Sequence, residues 1–137
     1  MSAHRPNAPC PCGTGRKYKR CCRPFHRGAP APDPERLMRS RYSAYALGEL
    51  DYLVDTTCPG GPQWRTERES WLSELADYVR ATRFEGLKVL STEVAGNEGS
   101  VSFHAQLSRG SEDLSFGESS RFVRMGARWL YHSGRPL

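Results

Sequence analysis

The sequence lacks any long apolar run. No stretch of its 137 residues approaches the roughly 20 consecutive apolar residues that a helix needs to cross a bilayer, so we expect no transmembrane segment. No apolar segment of the kind that directs secretion lies near its start, and we therefore expect a cytoplasmic protein. The five cysteines are an odd number, which argues against a disulfide framework in an oxidising compartment.

Acidic residues are scarce in the first third of the chain. Residues 1–41 contain ten Lys and Arg but only Asp33 and Glu35, whereas residues 42–137 contain ten Lys and Arg and thirteen Asp and Glu. The net charge of +5 therefore originates in the N-terminal part. Such positive charge suits binding to an acidic protein surface, anionic lipid headgroups or a nucleic-acid backbone. It is equally expected of a small module whose charged side chains keep it solvated and offset the negative charge of its thiolates.

Four of the cysteines lie within thirteen residues, in the run CPCGTGRKYKRCC. They are Cys10, Cys12, Cys21 and Cys22. Four thiolates complete the tetrahedral shell that structural zinc prefers and leave no open position for chemistry. Gly13 and Gly15 allow the chain to turn back sharply between the two pairs. We therefore expect these cysteines to hold one structural Zn²⁺.

Other uses of these cysteines fit the spacing less well. Neighbouring residues such as Cys21 and Cys22 form a disulfide only with strain. Iron–sulfur clusters also use four thiolates, but this spacing matches none of their common runs. A redox dithiol normally has the pattern C-x-x-C, which is absent here. Zinc is therefore the preferred interpretation, with an iron–sulfur cluster as the alternative.

Three stretches resemble known families. The run CPCGTGRKYKRCC resembles the SEC-C motif, a zinc-binding module at the end of the SecA translocation ATPase and in other bacterial proteins. This resemblance implies the same four cysteines as ligands, with Cys22 in place of a histidine found in some members. The stretches PDPERLMRSRYSAYALGELDYLV and ESSRFVRMGARWLY resemble the middle domain of the uncharacterised bacterial YchJ family. That resemblance implies a cone similar to nuclear transport factor two and cystatin-like folds, with a pocket between sheet and helix.

Prolines, glycines and apolar periodicity divide the chain into four parts. We predict a disordered N-terminus over residues 1–9, a zinc knuckle over 10–24, a semi-rigid Pro-rich linker over 25–33 and an α+β domain over 34–137.

Within the domain, the pattern predicts helices first and strands afterwards. Asp33-Pro34-Glu35 is typical of a helix start, with an N-cap, a proline and an acid in the first turn, and Gly48 is expected to end that helix. A short helix is expected around 50–54, and a third amphipathic helix over 64–79. From residue 84 the period changes to two, which predicts an antiparallel meander and hence an α+β fold.

Two groups of residues are candidates for binding. The partner-binding surface of the knuckle would comprise Arg16, Lys17, Tyr18, Lys19 and Arg20. The pocket would comprise Arg39, Tyr42, Glu118, Ser120 and Phe122. Glu118 beside apolar side chains could act as a general base, but we favour an ion pair with Arg39 or Arg41 that holds helix against sheet. His104 is expected to face solvent.

These features favour a zinc-stabilised binding or adaptor protein whose basic knuckle docks a protein partner or an anionic surface. Such a function requires no catalytic motif. The alternative is a small enzyme or ligand carrier that uses the pocket, which two titratable groups converging in a closed apolar pocket would favour. A second alternative is non-specific nucleic-acid binding by the knuckle, with Tyr18 as a stacking ring and a steep dependence on salt.

Overall fold

The computed structural model describes residues 6–137. The disorder that we predicted for residues 1–9 lies partly outside the described residues. Residues 6–9 do not follow that prediction, because the backbone carbonyls of Pro6 and Ala8 accept hydrogen bonds from the N–H groups of Lys19 and Tyr18, at 2.9 and 2.8 Å. This segment is therefore paired with the loop that separates the two cysteine pairs.

Helices precede the sheet, as the sequence predicts. After a 3-10 turn at Tyr18–Arg20 they are α1 (Arg23–His26), α2 (Pro34–Leu47), α3 (Leu50–Asp55) and α4 (Arg68–Ala81). The Asp33 carboxylate caps α2 by accepting the Arg36 N–H at 2.8 Å, and Gly48 ends it in the left-handed region with φ of 78°. None of the helices described in residues 6–137 is long and apolar enough to span a membrane.

The third predicted helix begins later than the apolar pattern suggested. Trp64 lies in the loop before α4, and its ring packs edge-on against the ring of Trp71 at 5.4 Å between centroids. Both rings are at least partly removed from solvent. Trp64 therefore extended the apolar pattern of the sequence, although it packs on α4 without belonging to it.

The strands form one antiparallel sheet. They are β1 (Arg83–Ala95), β2 (Glu98–Arg109), β3 (Glu112–Asp113), β4 (Phe116–Met125) and β5 (Arg128–Pro136), in the order β1-β2-β4-β5 with β3 on the end of β2. Two-residue turns join β1 to β2 and β4 to β5, and in each the first turn residue is a glycine with positive φ. The predicted turn over 110–113 is shorter than expected, because its last two residues pair with β2.

The core lies between α2 and the sheet. On β2, Val101, Phe103, Ala105 and Leu107 are each at most 5% exposed, whereas His104 is exposed, as the alternation predicts. Leu37, Met38 and Tyr42 of α2 pack against this row. The α+β architecture of helices on an antiparallel sheet is therefore confirmed.

The predicted linker does not act as a spacer. Residues 25 and 26 belong to α1, and Ala31 is buried in the core. The Ser40 carbonyl can only accept, so His26 Nε2 donates to it at 2.8 Å, and Nδ1 of the neutral ring accepts the Tyr18 hydroxyl at 2.6 Å. Burial lowers the pKa of His26, which favours that neutral form. His26 therefore links the knuckle to α2.

Candidate metal centre and cavity

The four cysteines predicted as ligands lie together. The sulfur atoms of Cys10, Cys12, Cys21 and Cys22 are all within 4.8 Å of one another, and none of the five cysteines forms a disulfide. In a tetrahedral site with zinc–sulfur bonds of about 2.3 Å the sulfurs stand about 3.8 Å apart. The cluster therefore fits one metal ion of that size with only small adjustments.

Glycine makes the turn between the cysteine pairs possible. Gly13 and Gly15 have φ of 87° and 83°, where a residue with a side chain is strained. A Cβ at Gly13 would also stand 3.1 Å from the carbonyl oxygen of Leu87. The loop thus approaches β1 closely, and Leu47 and Leu87 pack against the cysteine cluster.

Helix α2 supplies polar support for the cluster from one face. Arg39 Nη1 donates to the Cys12 carbonyl at 2.8 Å, and one turn later the Ser43 hydroxyl lies 3.3 Å from Cys10 Sγ. Thr14, inside the loop, places its hydroxyl 3.2 Å from Cys21 Sγ. Hydroxyl groups next to thiolates donate hydrogen bonds to them, and such neighbours orient metal ligands.

Contacts among the cysteines shift the pKa values of their thiols in opposite directions. Hydrogen bonds from Cys10 and Cys22 lower the pKa of Cys12 far below that of an ordinary thiol, whereas hydrogen bonds with Cys10 and Cys12 raise the pKa of Cys22. Burial raises the pKa of Cys21 to about 11. A divalent cation must therefore displace protons from this cluster, and its affinity should fall as the pH is lowered.

Three of the four basic residues in the loop are exposed, whereas Tyr18 between them is buried. Arg16, Lys17 and Arg20 are exposed and Lys19 is half-buried. Tyr18 is only 7% exposed, because its ring packs on the cysteines and its hydroxyl binds His26. Our expectation that Tyr18 offers a stacking ring to a nucleic acid is therefore wrong.

A cavity of about 510 Å³ lies between the sheet and helices α2 and α4. Of the predicted pocket residues, Tyr42, Glu118, Ser120 and Phe122 line it. Arg39 does not, because it faces the cysteine loop and pairs with Glu35 at 2.9 Å. Arg41, two residues later on α2, lines the cavity instead.

Glu118 does not form the ion pair that we expected. None of the ion pairs within residues 6–137 includes Glu118 or Arg41, and Arg39 is paired elsewhere. Glu118 Oε2 instead accepts hydrogen bonds from Ser120, at 2.6 Å, and from the Tyr131 hydroxyl, at 3.4 Å. Burial and the nearby Glu118 carboxylate raise the pKa of Tyr131, so that its hydroxyl stays protonated and can donate.

A bulge in β5 creates this arrangement. Phe122 pairs with Tyr131 but Arg121 pairs with Ser133, so His132 is an extra residue. The bulge puts Tyr131 and Gly134 on the same face of β5, beside Glu118. A Cβ at Gly134 would overlap the Glu118 carboxylate, so a larger residue there would displace the carboxylate from this position.

Comparisons with known proteins agree with this architecture. A family model described as "YchJ, middle NTF2-like domain" matches residues 33–134, and a SEC-C motif model matches residues 7–24. The chain belongs to the YchJ family. A UPF0225 protein of Deinococcus radiodurans is 41% identical over 128 residues, which cover 92% of this chain and 88% of that relative. The resemblance found in the sequence is therefore confirmed for both parts of the chain.

Two solved structures are similar to this YchJ-family chain over most of its length. A SEC-C motif containing protein of Rhodopseudomonas palustris, determined in solution, is 36% identical, with a TM-score of 0.80 over 95% of this chain and 99% of that one. A SEC-C motif containing protein of Psychrobacter arcticus is 25% identical, with a TM-score of 0.74 over 90% of this chain and 80% of that one. Both are described as containing a SEC-C motif, and both align with at least 90% of this chain.

Sequence reasoning missed several residues around both sites. Ser43 and Thr14 beside the sulfurs gave no separate signal, although Ser43 lies one turn after Arg39. Arg41 lies three residues after Met38 and four before Tyr45, so the helical period could have selected it over Arg39. Gly134 gave no signal, because its importance depends on the bulge.

Proposed function

We propose that this YchJ-family protein is a zinc-stabilised binding protein whose knuckle, residues 10–24, docks an acidic protein surface. The observation that carries the proposal is the closed set of four sulfurs within 4.8 Å. Four thiolates leave a zinc ion no free position for substrate or water, so the metal stabilises the loop and takes no part in a reaction. Cysteine thiolates also favour zinc over harder cations.

The basic side chains of the loop support docking to an acidic surface. Arg16, Lys17, Lys19 and Arg20 take part in none of the ion pairs within residues 6–137. On the neighbouring helix, by contrast, Arg39 pairs with Glu35. A partner with carboxylates at matching positions would gain both steering and specificity from the unpaired cations.

The contacts beneath the loop support a fixed orientation for the bound partner. Arg39 and Ser43 hold the cysteine loop, and His26 joins the loop to the Ser40 carbonyl. A partner bound to the basic side chains would therefore be held at a defined angle to the α+β domain, as an adaptor requires.

The first test is the metal content of the natively purified chain, for which we expect one zinc per chain. The second is quantitative capture of lysate proteins by three chains: the natural one, a triple variant with Arg16→Ser, Lys17→Ser and Arg20→Ser, and a control with Arg80→Ser, Arg83→Ser and Arg109→Ser. The control removes the same charge from exposed positions elsewhere. We expect the natural chain and the control to capture the same protein. The triple variant and a chelated sample should both fail to capture it.

Three results would contradict the proposal. Absence of zinc would remove its basis. Equal capture by the triple variant would move the interface away from the knuckle. Binding that nuclease treatment abolishes, with a steep dependence on salt and none on sequence, would favour nucleic acid instead.

A further inference from the structure

The cavity wall contains four charged side chains, and only two of them are paired with each other. These four are Arg41, Arg65, Glu74 and Glu118. Arg65 Nη1 and Glu74 Oε2 form an ion pair at 2.7 Å. Arg41 and Glu118 have no ion-pair partner within residues 6–137. One cavity therefore holds one unpaired cation and one unpaired anion.

Glu118 retains half of its capacity to accept hydrogen bonds. Its Oε2 accepts from Ser120 and from Tyr131, whereas its Oε1 accepts from no group within residues 6–137. These contacts fix the carboxylate in position, and Gly134 leaves the space for it. A donor in the cavity can therefore bind Oε1 without displacing an existing contact.

Arg41 retains donors in the same way. Its Nη1 donates to the Leu53 carbonyl at 2.9 Å and to the hydroxyls of Thr56 and Thr57 at 2.7 and 3.3 Å. Its Nε and Nη2 donate to no group within residues 6–137. The guanidinium stands over the Tyr131 ring, 4.7 Å from its centroid. Its place is thus set by neutral groups, and its charge has no carboxylate to balance it.

The rest of the wall is mostly aromatic. It includes Tyr45, Trp71, Tyr78, Phe84, Phe103 and Phe116. Tyr45, Tyr78 and Phe84 contact one another with centroids about 6 Å apart, so that they form a continuous aromatic lining. A volume of about 510 Å³ is within the range of small-molecule sites, in which apolar walls carry a few polar anchors.

We propose that this cavity binds a small zwitterion with an apolar ring, of the aromatic amino-acid type, whose ammonium group binds Glu118 and whose carboxylate binds Arg41. A simple amine would leave Arg41 unpaired, and a simple carboxylate would leave Glu118 unpaired. A half-buried charge without a partner is costly, so a ligand that pairs both has the advantage. The proposal concerns the α+β domain and does not depend on the role of the knuckle.

The test compares three probes that share a phenyl ring: L-phenylalanine, 2-phenylethylamine and 3-phenylpropanoate. Each is titrated into the full chain and followed by calorimetry and by the NMR shifts of the cavity side chains. We expect L-phenylalanine to saturate these shifts and to bind at least tenfold more tightly than either single-charge probe. No saturation by L-phenylalanine at millimolar concentration, or equal affinity for all three probes, would overturn the proposal.

The variant Glu118→Gln identifies the anchor, with Glu98→Gln as its control. Glu98 is exposed and pairs with Arg121 on the other strand face. We expect Glu118→Gln to lose at least tenfold in affinity for L-phenylalanine and to leave 3-phenylpropanoate unchanged, while Glu98→Gln binds as the natural chain does. Unchanged binding of L-phenylalanine by Glu118→Gln would overturn the assignment.

A second variant covers the case in which Glu118→Gln unfolds. Ala105 is buried and lines the cavity, so Ala105→Leu fills part of the space with an apolar side chain. We expect this variant to reduce the affinity for L-phenylalanine at least tenfold. Undiminished binding there would place the probe outside the cavity and overturn the proposal.

Discussion

Loss of the metal that we propose for the cysteine cluster should destabilise the whole protein without unfolding its α+β domain. We consider the variant Cys12→Ser, which removes one thiolate from the cluster. A loop of this size has too little apolar surface to stay folded without its metal, so we expect the knuckle to unfold. The question is how much of the domain's stability is lost with it.

The magnitude follows from the contacts between loop and helix α2. Arg39 donates to the Cys12 carbonyl, Ser43 contacts Cys10 Sγ, and His26 donates to Ser40 with help from Tyr18. A hydrogen bond with a charged donor contributes about 1.5–3 kcal/mol and a neutral one about 1 kcal/mol, so the three together contribute about 3–5 kcal/mol. Because small domains have about 5–15 kcal/mol in total, we expect the remaining domain to fold with a Tm at least about 10 °C lower.

The assay is thermal unfolding followed by circular dichroism, combined with an NMR spectrum at 25 °C. We expect dispersed resonances from residues 34–137 and collapsed ones from the knuckle. Cys58→Ser is the matched control, since Cys58 is buried but lies outside the cluster. The reasoning fails if Cys12→Ser melts within about 3 °C of the natural chain, or if the whole spectrum collapses.

A double-mutant cycle refines that test. Arg39→Met should be costly in the natural chain, because it removes the bond to the Cys12 carbonyl. In the Cys12→Ser background the same substitution should cost little, because the carbonyl has already moved away. Equal costs in both backgrounds would show that Arg39 acts independently of the knuckle.

Two further substitutions test the domain itself. Asp33→Ala removes the cap of α2 and should lower the free energy of unfolding by about 1 kcal/mol in urea titration, whereas Asp51→Ala, which removes only an exposed ion pair, should cost less. Gly134→Ala should lower it by about 1–3 kcal/mol and shift the NMR signals of Tyr131, because the new methyl group overlaps the Glu118 carboxylate. Ser133→Ala is its control, and equal effects of the two variants would contradict the role given to Gly134.

The parts of the fold that follow local rules could be predicted from the sequence. Asp33, Pro34 and Gly48 mark the start and end of α2, and β2 alternates because only one of its faces is buried. The four sulfurs could be predicted as one cluster because their residues are close together along the chain. In each case the cause lies within a few residues of the effect.

The remaining features depend on contacts that are distant along the chain. The burial of Tyr18 depends on His26, which binds its hydroxyl and is itself held by the Ser40 carbonyl of α2. The unpaired state of Glu118 depends on the rotation of α2, which turns Arg39 towards the cysteines and Arg41 towards the cavity. The bulge at His132 shifts the register of β5, and no turn residue or proline announces it.

The order in which the cysteine loop and its support are synthesised has a consequence for the newborn chain. All four clustered cysteines precede Arg39, Ser43 and Leu87, the residues against which the loop rests. Because chains fold from the N-terminus during synthesis, the thiolates emerge before any of these neighbours exists. Metal capture must then either proceed on an unsupported peptide or wait for the domain. If the cysteines hold the metal that we propose, its rate of supply to a translating chain decides whether the knuckle folds before the domain or after it.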